Sequence, residues 1–399
     1  MKNVLELLER TAARLPRQIA FADQQCSYDY QTVANIAGSV GSALAANGDR
    51  NCPVAVLMER GAPCLVTLMG VLYSGNFYVV LDPEMPAERV NKILRTLQPT
   101  ALICDEAHKD DPAGLDYDGK VYSAEALAAG QAQPELLQTV RRRMIDTDPA
   151  YAIFTSGSTG NPKGVVVNHR SVLAYSAWAA DTFGISEKTI FGNQTPFYFS
   201  MSVTDIYATI RTGAQLHVIP KSYFSFPALL IRYLNERQVN TIYWVPSALS
   251  IVANLKVLDF MMAEHIEKVL FAGEVMPAKQ LNYWRSKYPN ACLPTCLARR
   301  KPRIFAPTTL WIGRSKTRRA CPSALPVTIA TALWLPRTGG WPESARRANC
   351  TPEVRSWLWA TITTRTRRQL PLCKIRCKVT IRSGCIKPAI WCGGMNGAS

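Results

Sequence analysis

Residues 151–172 read YAIFTSGSTGNPKGVVVNHRSV and hold the most distinctive pattern of the chain. Apolar segments at residues 151–154 and 164–167 enclose a stretch, residues 155–164, that contains three glycines and four hydroxyl side chains. Backbone amides and hydroxyls in such a loop can bind phosphate oxygens, and Lys163 adds a positive charge. The stretch is not the Walker phosphate-binding motif GxxxxGK[ST], which leads directly into a helix. Here a proline precedes the lysine, and a strand is predicted after it. The stretch therefore predicts a phosphate-binding loop between two strands.

The first 291 residues alternate strand-like and helix-like segments. The predicted strands are residues 53–58, 77–81, 101–104, 151–154, 164–167, 215–219, 240–245 and 268–272. The predicted helices include residues 62–73, 87–97, 226–237 and 278–288. This alternation predicts an α/β fold with a largely parallel sheet covered by helices. The polar stretch 105–137 is predicted to be a surface connection with a short hairpin.

The sequence shows no pattern of a signal peptide or a membrane span. Charged residues interrupt the apolar positions of the first sixteen residues, and the most apolar stretch, residues 64–81, contains Gly70, Gly75 and Asn76. The four cysteines before residue 291 lack the spacing of metal ligands, so no metal site is predicted from them. We therefore expect a cytoplasmic protein without membrane contact.

The segment at residues 151–172 resembles the phosphate-loop signature of the adenylate-forming (AMP-binding) superfamily. Within it, the segment is most similar to the amino-acid adenylation domains of nonribosomal peptide synthetases and to the D-alanine–carrier-protein ligases. Three more segments add to the resemblance: LVTLMGVLYSGNFYVVLDPEMPAERVNKIL (65–94), NQTPFYFSMSVTDIY (193–207) and VLFAGEVMP (269–277). The likeness covers about residues 1–291. It implies the large N-terminal domain of the adenylate-forming fold, with stacked, mostly parallel sheets and helices on their faces.

The resemblance implies a two-step reaction with ATP and Mg²⁺ as cofactors. The carboxylate of a small amino acid or other carboxylic acid attacks the α-phosphate of ATP, which gives an acyl-adenylate and pyrophosphate. A phosphopantetheine thiol on a carrier protein then takes the acyl group. This chemistry depends on charge stabilisation and positioning more than on a covalent nucleophile.

The positions that match the family motifs form three groups. The pyrophosphate half of ATP would be held by Thr155, Ser156, Gly157, Ser158, Thr159, Gly160 and Lys163, of which Thr155 and Lys163 are the catalytic candidates. Gly273 and Glu274 would lie beside the adenosine. The pocket for the acid would be lined by Ser200, Thr204, Tyr243, Leu270 and Ala272.

Ser200 departs from the family pattern. Members that activate amino acids normally read FDxSV at the position of residues 199–203, and their aspartate pairs with the α-ammonium group of the substrate. A serine hydroxyl cannot supply this charge-assisted bond, which is worth about 1.5–3 kcal/mol. Three interpretations stay open: the substrate lacks a normal α-amine, another acid such as Asp205 compensates, or the site has decayed.

Other polar residues of the first 291 receive structural interpretations. His169 follows the phosphate-loop hairpin and could be catalytic, but a helix-start residue near the surface is the interpretation that we favour. Glu59 and Arg60, and the charged residues of 264–268, are interpreted as solvated surface charges.

The composition changes near residue 291. Residues 292–399 hold 20 of the 46 lysines and arginines, but only 2 of the 29 aspartates and glutamates. The net charge of +17 is therefore carried by this tail. Eight of the 12 cysteines also lie there, whereas all four histidines lie before it.

The tail lacks two motifs that the family pattern requires, a YGPTE loop whose glutamate helps to hold Mg²⁺ and a TGD whose aspartate binds the ribose. If each codon is shifted back by one base, however, residues 295–301 can encode LFGPTE and residues 384–392 can encode VYKTGDLV. The same shift allows LPIG at residues 320–324 and AMGYYNNPDKT at residues 357–368. Residues 292–399 are therefore interpreted as an out-of-frame tail without a native fold, and the C-terminal lid domain of the family is expected to be absent.

Three functions follow from these observations. The first is ATP-dependent activation of an acid for a carrier protein, impaired or inactive in this chain. The second is a catalytically dead pseudogene product. The third, a basic nucleic-acid-binding protein, is less favoured because a misread GC-rich gene also yields many arginines.

Overall fold

The structure, a computed structural model, describes residues 1–155 and 162–293 together with the backbone of Leu333–Trp334. The predicted loop residues Ser156, Gly157, Ser158, Thr159 and Gly160 lie outside the described residues. The reading-frame predictions for the tail also lie outside them, apart from its first two residues and that short strand.

Helices and strands alternate along the described chain. The helices are α1 (Leu5–Arg14), α2 (Tyr30–Ala45), α3 (Ala62–Tyr73), α4 (Ala87–Leu97), α5 (Ala124–Ala128), α6 (Pro134–Arg143), α7 (His169–Phe183), α8 (Ser202–Thr212), α9 (Pro227–Glu236), α10 (Pro246–Asn254) and α11 (Ala278–Lys287). The strands are β1 (Ile19–Ala22), β2 (Ser27–Asp29), β3 (Pro53–Leu57), β4 (Phe77–Leu81), β5 (Ala101–Cys104), β6 (Lys120–Ser123), β7 (Pro149–Thr155), β8 (Lys163–Asn168), β9 (Ile190–Asn193), β10 (Gln215–Val218), β11 (Thr241–Trp244), β12 (Lys268–Phe271) and β13 (Leu333–Trp334).

The strands form two mostly parallel sheets. Sheet I has the order β12-β11-β9-β10-β1-β2, and only its β1/β2 pair is antiparallel. Sheet II has the order β13-β8-β7-β4-β3-β5-β6. In sheet II, β8 runs antiparallel to both β7 and β13, and the remaining pairs are parallel. The predicted α/β class with stacked, mostly parallel sheets is confirmed.

Three apolar cores hold the layers together. The central core joins the inner faces of both sheets to α1, α2, α3, α7 and α8. A second core packs α9, α10 and α11 on the outer face of sheet I, and a third packs α4 on the outer face of sheet II. Strand β3 shows how the sequence builds this arrangement: Val54 and Val56 enter the central core, whereas Ala55 and Leu57 enter the third core.

Helix patterning follows the same layers. Helix α4 buries Val90, Ile93, Leu94 and Leu97, an i, i+3, i+4, i+7 stripe typical of a helix that covers one face of a sheet. By contrast, α3 buries every residue from Cys64 to Leu72, because it lies inside the central core. The predicted helix followed by a strand in residues 64–81 is confirmed by α3 and β4.

Helices α2 and α3 pack backbone against backbone at two glycines. A Cβ atom built on Gly41 would lie 2.4 Å from Cβ of Tyr73, and one built on Gly70 would lie 2.5 Å from Cβ of Val40. Real Cβ atoms essentially never approach so closely. The close contact of these two helices therefore requires glycine at both positions.

The prediction for residues 105–137 is wrong in part. This segment contains no hairpin: β6 pairs in parallel with β5 and extends the edge of sheet II, and α5 follows directly. A parallel partner from a long, polar connection has no local turn signal, which explains the error. Among residues 1–155 and 162–293, none of the helices combines the length and the hydrophobicity that a membrane span needs.

The chain adds one further backbone pairing to sheet I directly after α11. The amide of Val269 in β12 donates a hydrogen bond to the carbonyl of Cys292 at 3.0 Å. The amide of Cys292 donates to the carbonyl of Glu267 at 2.9 Å. Residue 292 thus pairs in parallel with the start of β12, next to Lys268.

Candidate functional site

Strands β7 and β8 form a hairpin, and the two predicted catalytic residues stand where its loop begins and ends. Thr155 and Lys163 are directly opposite in the β7/β8 register, on either side of the loop at residues 156–161. The Thr155 hydroxyl donates a hydrogen bond to the Lys163 carbonyl at 3.4 Å. Thr155 is exposed and Lys163 is half-buried, so both side chains stand where the loop leaves sheet II.

Gly164 lets the hairpin close tightly. It pairs with Phe154, and a Cβ atom at this position would lie 3.0 Å from the Phe154 ring. An exposed hydroxyl and a lysine thus stand at the two ends of a loop whose sequence is rich in amide and hydroxyl groups, which are groups that bind phosphate oxygens. No three or more His, Cys, Asp or Glu side chains in the described parts of the chain gather into a metal site.

Sheet I brings three of the predicted pocket residues to one side. Tyr243 and Leu270 are neighbours in the β11/β12 register, and Ala272 follows two residues later on the same face. These three side chains belong to the central core, as does α8, the helix that carries Thr204. Their neighbours Ile242, Trp244, Val269 and Phe271 face the second core instead.

Two pairs of neighbouring residues near this side of sheet I were not predicted from the sequence. The hydroxyls of Thr204 and Tyr175 lie 2.7 Å apart, which ties α8 to α7. Gly273 has a φ of +91°, and a Cβ atom there would lie 3.4 Å from Sδ of Met201. Met201 occupies the variable position of the FDxSV match, so the motif gave no signal for this proximity.

Glu274 has a structural partner in the described chain. Its carboxylate accepts hydrogen bonds from the amide of Ser247 at 2.9 Å and from the Ser247 hydroxyl at 3.3 Å. Ser247 lies in the first turn of α10, where unpaired amides and the helix dipole favour a carboxylate. The loop at Gly273 and Glu274 is therefore attached to the helix that follows β11.

Ser200 and Asp205 differ in their surroundings. Ser200 is half-buried in the turn before α8. Asp205 is fully buried, and only one of its oxygens has a partner among the described residues, the Asn193 side-chain amide, which donates at 2.9 Å. Burial raises the pKa of Asp205 to about 8, against the opposing effect of this hydrogen bond. Asp205 is thus mostly protonated at neutral pH, and its environment does not favour the interpretation that it replaces the missing aspartate.

Two interpretations from the sequence are wrong. Arg60 is not a solvated charge: its guanidinium is partly buried and donates to Asn193 Oδ1, to the Gln194 carbonyl and to the Ile219 carbonyl. His169 begins α7 as expected, but it is fully buried rather than near the surface. Both side chains are held by partners remote in sequence, so no local pattern revealed their burial.

His169 is neutral over most of the pH range. Its Nδ1 accepts the amide hydrogen of Val4 at 3.4 Å. Burial, with the positive charge of Arg141 adding to it and Asp146 opposing, lowers the His169 pKa to about 3. A folded pKa below the unfolded value of 6.5 gives stability that is complete above pH 6.5 and lost as the pH falls towards 3.

We therefore expect His169→Gln to flatten the acid side of the stability curve. Wild type should lose up to about 4 kcal/mol of unfolding free energy between pH 6.5 and pH 3 through this one group. The variant should lose correspondingly less, as measured by urea unfolding at steps of half a pH unit. The exposed His265 offers a matched control, His265→Gln, which should keep the wild-type slope. Equal slopes for wild type and His169→Gln would contradict the expectation.

Comparison with curated proteins finds carrier-protein ligases. The chain is similar to the L-proline–[L-prolyl-carrier protein] ligase of Pseudomonas fluorescens, with 28% identity over 83% of this chain and 67% of that protein. It is also similar to the D-alanine–D-alanyl carrier protein ligase of Staphylococcus aureus, with 25% identity over 73% of this chain and 58% of that protein.

Comparisons with solved structures and with family models point to the same group of proteins. The structure of VinN in complex with L-aspartate superposes with a TM-score of 0.65 and 20% identity, over 75% of this chain and 77% of that one. This likeness shows a shared fold. The model of the AMP-binding enzyme family matches residues 8–295, well over half of the chain. The protein therefore belongs to the AMP-binding enzyme family.

Proposed function

We propose that this chain derives from an enzyme that activates a small amino acid or other carboxylic acid with ATP, as an acyl-adenylate, for transfer to a phosphopantetheine carrier protein. The observation that supports the proposal is the β7/β8 hairpin, whose loop lies between Thr155 and Lys163, together with the side of sheet I that Tyr243, Leu270 and Ala272 share. The relatives named above act on L-proline and D-alanine with carrier proteins, which supports this class of substrate and partner.

The proposal assigns roles to the described residues. Thr155 and Lys163 would bind the pyrophosphate half of ATP, and Gly273 with its neighbour Glu274 would lie beside the adenosine. Ser200, Thr204, Tyr243, Leu270 and Ala272 would line the acid pocket. Lys163 would stabilise negative charge on the phosphates while the acid's carboxylate attacks, which requires no covalent nucleophile.

The chain divides into two parts under this proposal. Residues 1–291 form the adenylation core and residues 292–399 an out-of-frame tail, so the present chain should show little or no adenylation. The term restored chain denotes the product of the same gene after one base is inserted at codons 290–292. It is translated to the next stop codon in the corrected frame. We further propose a cytoplasmic location and no nucleic-acid partner.

The first test is the charge of Lys163. In the restored chain, Lys163→Ala should lower the rate of ATP–pyrophosphate exchange by about 100-fold, because removing one group that stabilises developing charge typically costs 10²–10³ in rate. The exchange assay is run with a panel of amino acids, hydroxy acids and aryl acids. Lys188→Ala, which removes an exposed lysine away from the hairpin, is the control and should leave the rate unchanged. Equal exchange rates for Lys163→Ala and the unmutated restored chain would refute the proposed role of Lys163 in binding the phosphates.

A further inference from the structure

Arg60 joins the two sheets at their carboxyl ends. It lies three residues after β3 of sheet II, but its hydrogen-bond acceptors among the described residues lie at the ends of strands of sheet I. Nη1 donates to the Gln194 carbonyl at 2.6 Å and to Asn193 Oδ1 at 3.3 Å, and Nη2 donates to the Ile219 carbonyl. One side chain therefore holds three acceptors of the neighbouring sheet.

These acceptors mark the ends of adjacent parallel strands. Asn193 is the last residue of β9, and Ile219 follows the last residue of β10. The Ile219 amide donates to the Asn193 carbonyl at 3.1 Å. The side-chain oxygen of Gln194 lies 3.5 Å from the Val245 amide, directly after β11. The carboxyl ends of parallel strands are where α/β proteins bind their ligands.

Asn193 extends the contact to the pocket helix. Its side-chain oxygen faces Arg60, so its amide group is directed to Asp205 on α8, to which it donates at 2.9 Å. Asp205 is adjacent to Thr204 in the first turn of the same helix. A continuous series of hydrogen bonds thus runs from sheet II through Arg60 and Asn193 to the helix of the proposed acid pocket.

A partly buried guanidinium at this position needs an explanation beyond stability. Burial lowers the Arg60 pKa to about 10, partly offset by Tyr198, Tyr233 and Asp82, so the group remains charged at neutral pH. Its acceptors among the described residues are neutral oxygens, and a cation partly withdrawn from water onto such partners contributes little net stability. The planar fork of arginine, however, fixes several acceptors in one geometry, which a lysine cannot do.

We propose that Arg60 is a positioning residue that fixes the acid pocket on sheet I relative to the phosphate-binding hairpin on sheet II. This inference rests on the proposed function, since the attacking carboxylate and the α-phosphate must lie about 3–3.5 Å apart for reaction. A displacement of about 1 Å between the two halves of such a site can cost about 100-fold in rate.

The first experiment needs no ligand and uses the present 399-residue chain. Amide hydrogen exchange by mass spectrometry is compared for wild type, Arg60→Lys and Arg60→Met. Peptides that cover residues 193–195 and 219–220 should exchange at least about 10-fold faster in both variants, whereas peptides of β7 and β8 keep their rate. Arg95→Met removes an exposed arginine paired with Asp116 and should change neither region. Unchanged exchange at both strand ends, or equal acceleration throughout the chain, would overturn the proposal.

The second experiment separates positioning from a merely structural role. In the restored chain, Arg60→Lys should lower kcat of ATP–pyrophosphate exchange by about 10- to 100-fold, while KM for ATP changes less than about 3-fold. A parallel rise in KM for ATP, or an unchanged kcat, would contradict positioning. If the unmutated restored chain shows no exchange with any acid of the panel, the proposed function itself fails and the positioning role of Arg60 in it fails too. Unchanged hydrogen exchange at the strand ends, by contrast, overturns the Arg60 proposal alone.

Discussion

The restored chain is expected to catalyse ATP–pyrophosphate exchange at least about 100-fold faster than the 399-residue chain. Its re-read tail would contain LFGPTE and VYKTGDLV in place of the out-of-frame residues. By family resemblance these motifs supply a glutamate for Mg²⁺ and an aspartate for the ribose. Losing even one group that stabilises the transition state costs about 10²–10³ in rate, so losing both should leave the present chain near background.

The comparison requires two controls. Both proteins are assayed with the same acid panel, and the restored chain carrying Lys163→Ala defines the background. Robust exchange by the 399-residue chain would refute the view that its tail is non-functional. Sequencing the gene across codons 285–295 decides independently whether the shift is present in the DNA.

Placing a leucine at Gly41 is expected to abolish the native fold at 25 °C. The first atom of the new side chain would already overlap Cβ of Tyr73, and it would lie 3.1 Å from the Gly70 carbonyl. Overpacking a well-packed core typically costs 1–3 kcal/mol for single methylenes. Forcing α2 and α3 apart should cost more, on the scale of the about 5–15 kcal/mol that stabilises a whole domain.

Circular dichroism and urea unfolding of Gly41→Leu check this expectation. Gly41→Ala provides a graded version that should lower the unfolding midpoint without eliminating folding. Gly114→Leu is the matched control, because a Cβ atom at Gly114 meets nothing within 4 Å. A Gly41→Leu protein with the stability of the control would show that the two helices can separate at little cost.

The layered fold was largely predictable because its strands carry their signal locally. Buried apolar runs such as residues 54–57 identify strands of a parallel sheet without reference to their neighbours. All eight predicted strands appear, within one or two residues of the observed ends. Strand β9, IFGN, was not predicted because Gly192 and Asn193 are typical of turns, and only pairing with β10 and β11 makes it a strand.

The residues proposed for the acid pocket were predictable from the sequence only in part. Tyr243 and Leu270 were identified through motif positions, and the register that makes them neighbours is a tertiary fact. Arg60 looked like an ordinary surface charge because its acceptors lie more than 130 residues away. The proposed sites therefore combine residues visible in motifs with residues that only the packing of the two sheets reveals.

The pairing of Cys292 with β12 has a practical consequence for anyone who shortens this protein. Trimming the chain at residue 291, where the composition changes, would remove the carbonyl that receives the Val269 amide and the amide that donates to Glu267. An apolar strand with unpaired backbone groups recruits other strands, so the shortened molecules would tend to associate edge to edge and precipitate. A shortened protein that ends after Leu293 keeps Cys292 and both of its backbone hydrogen bonds at the edge of sheet I.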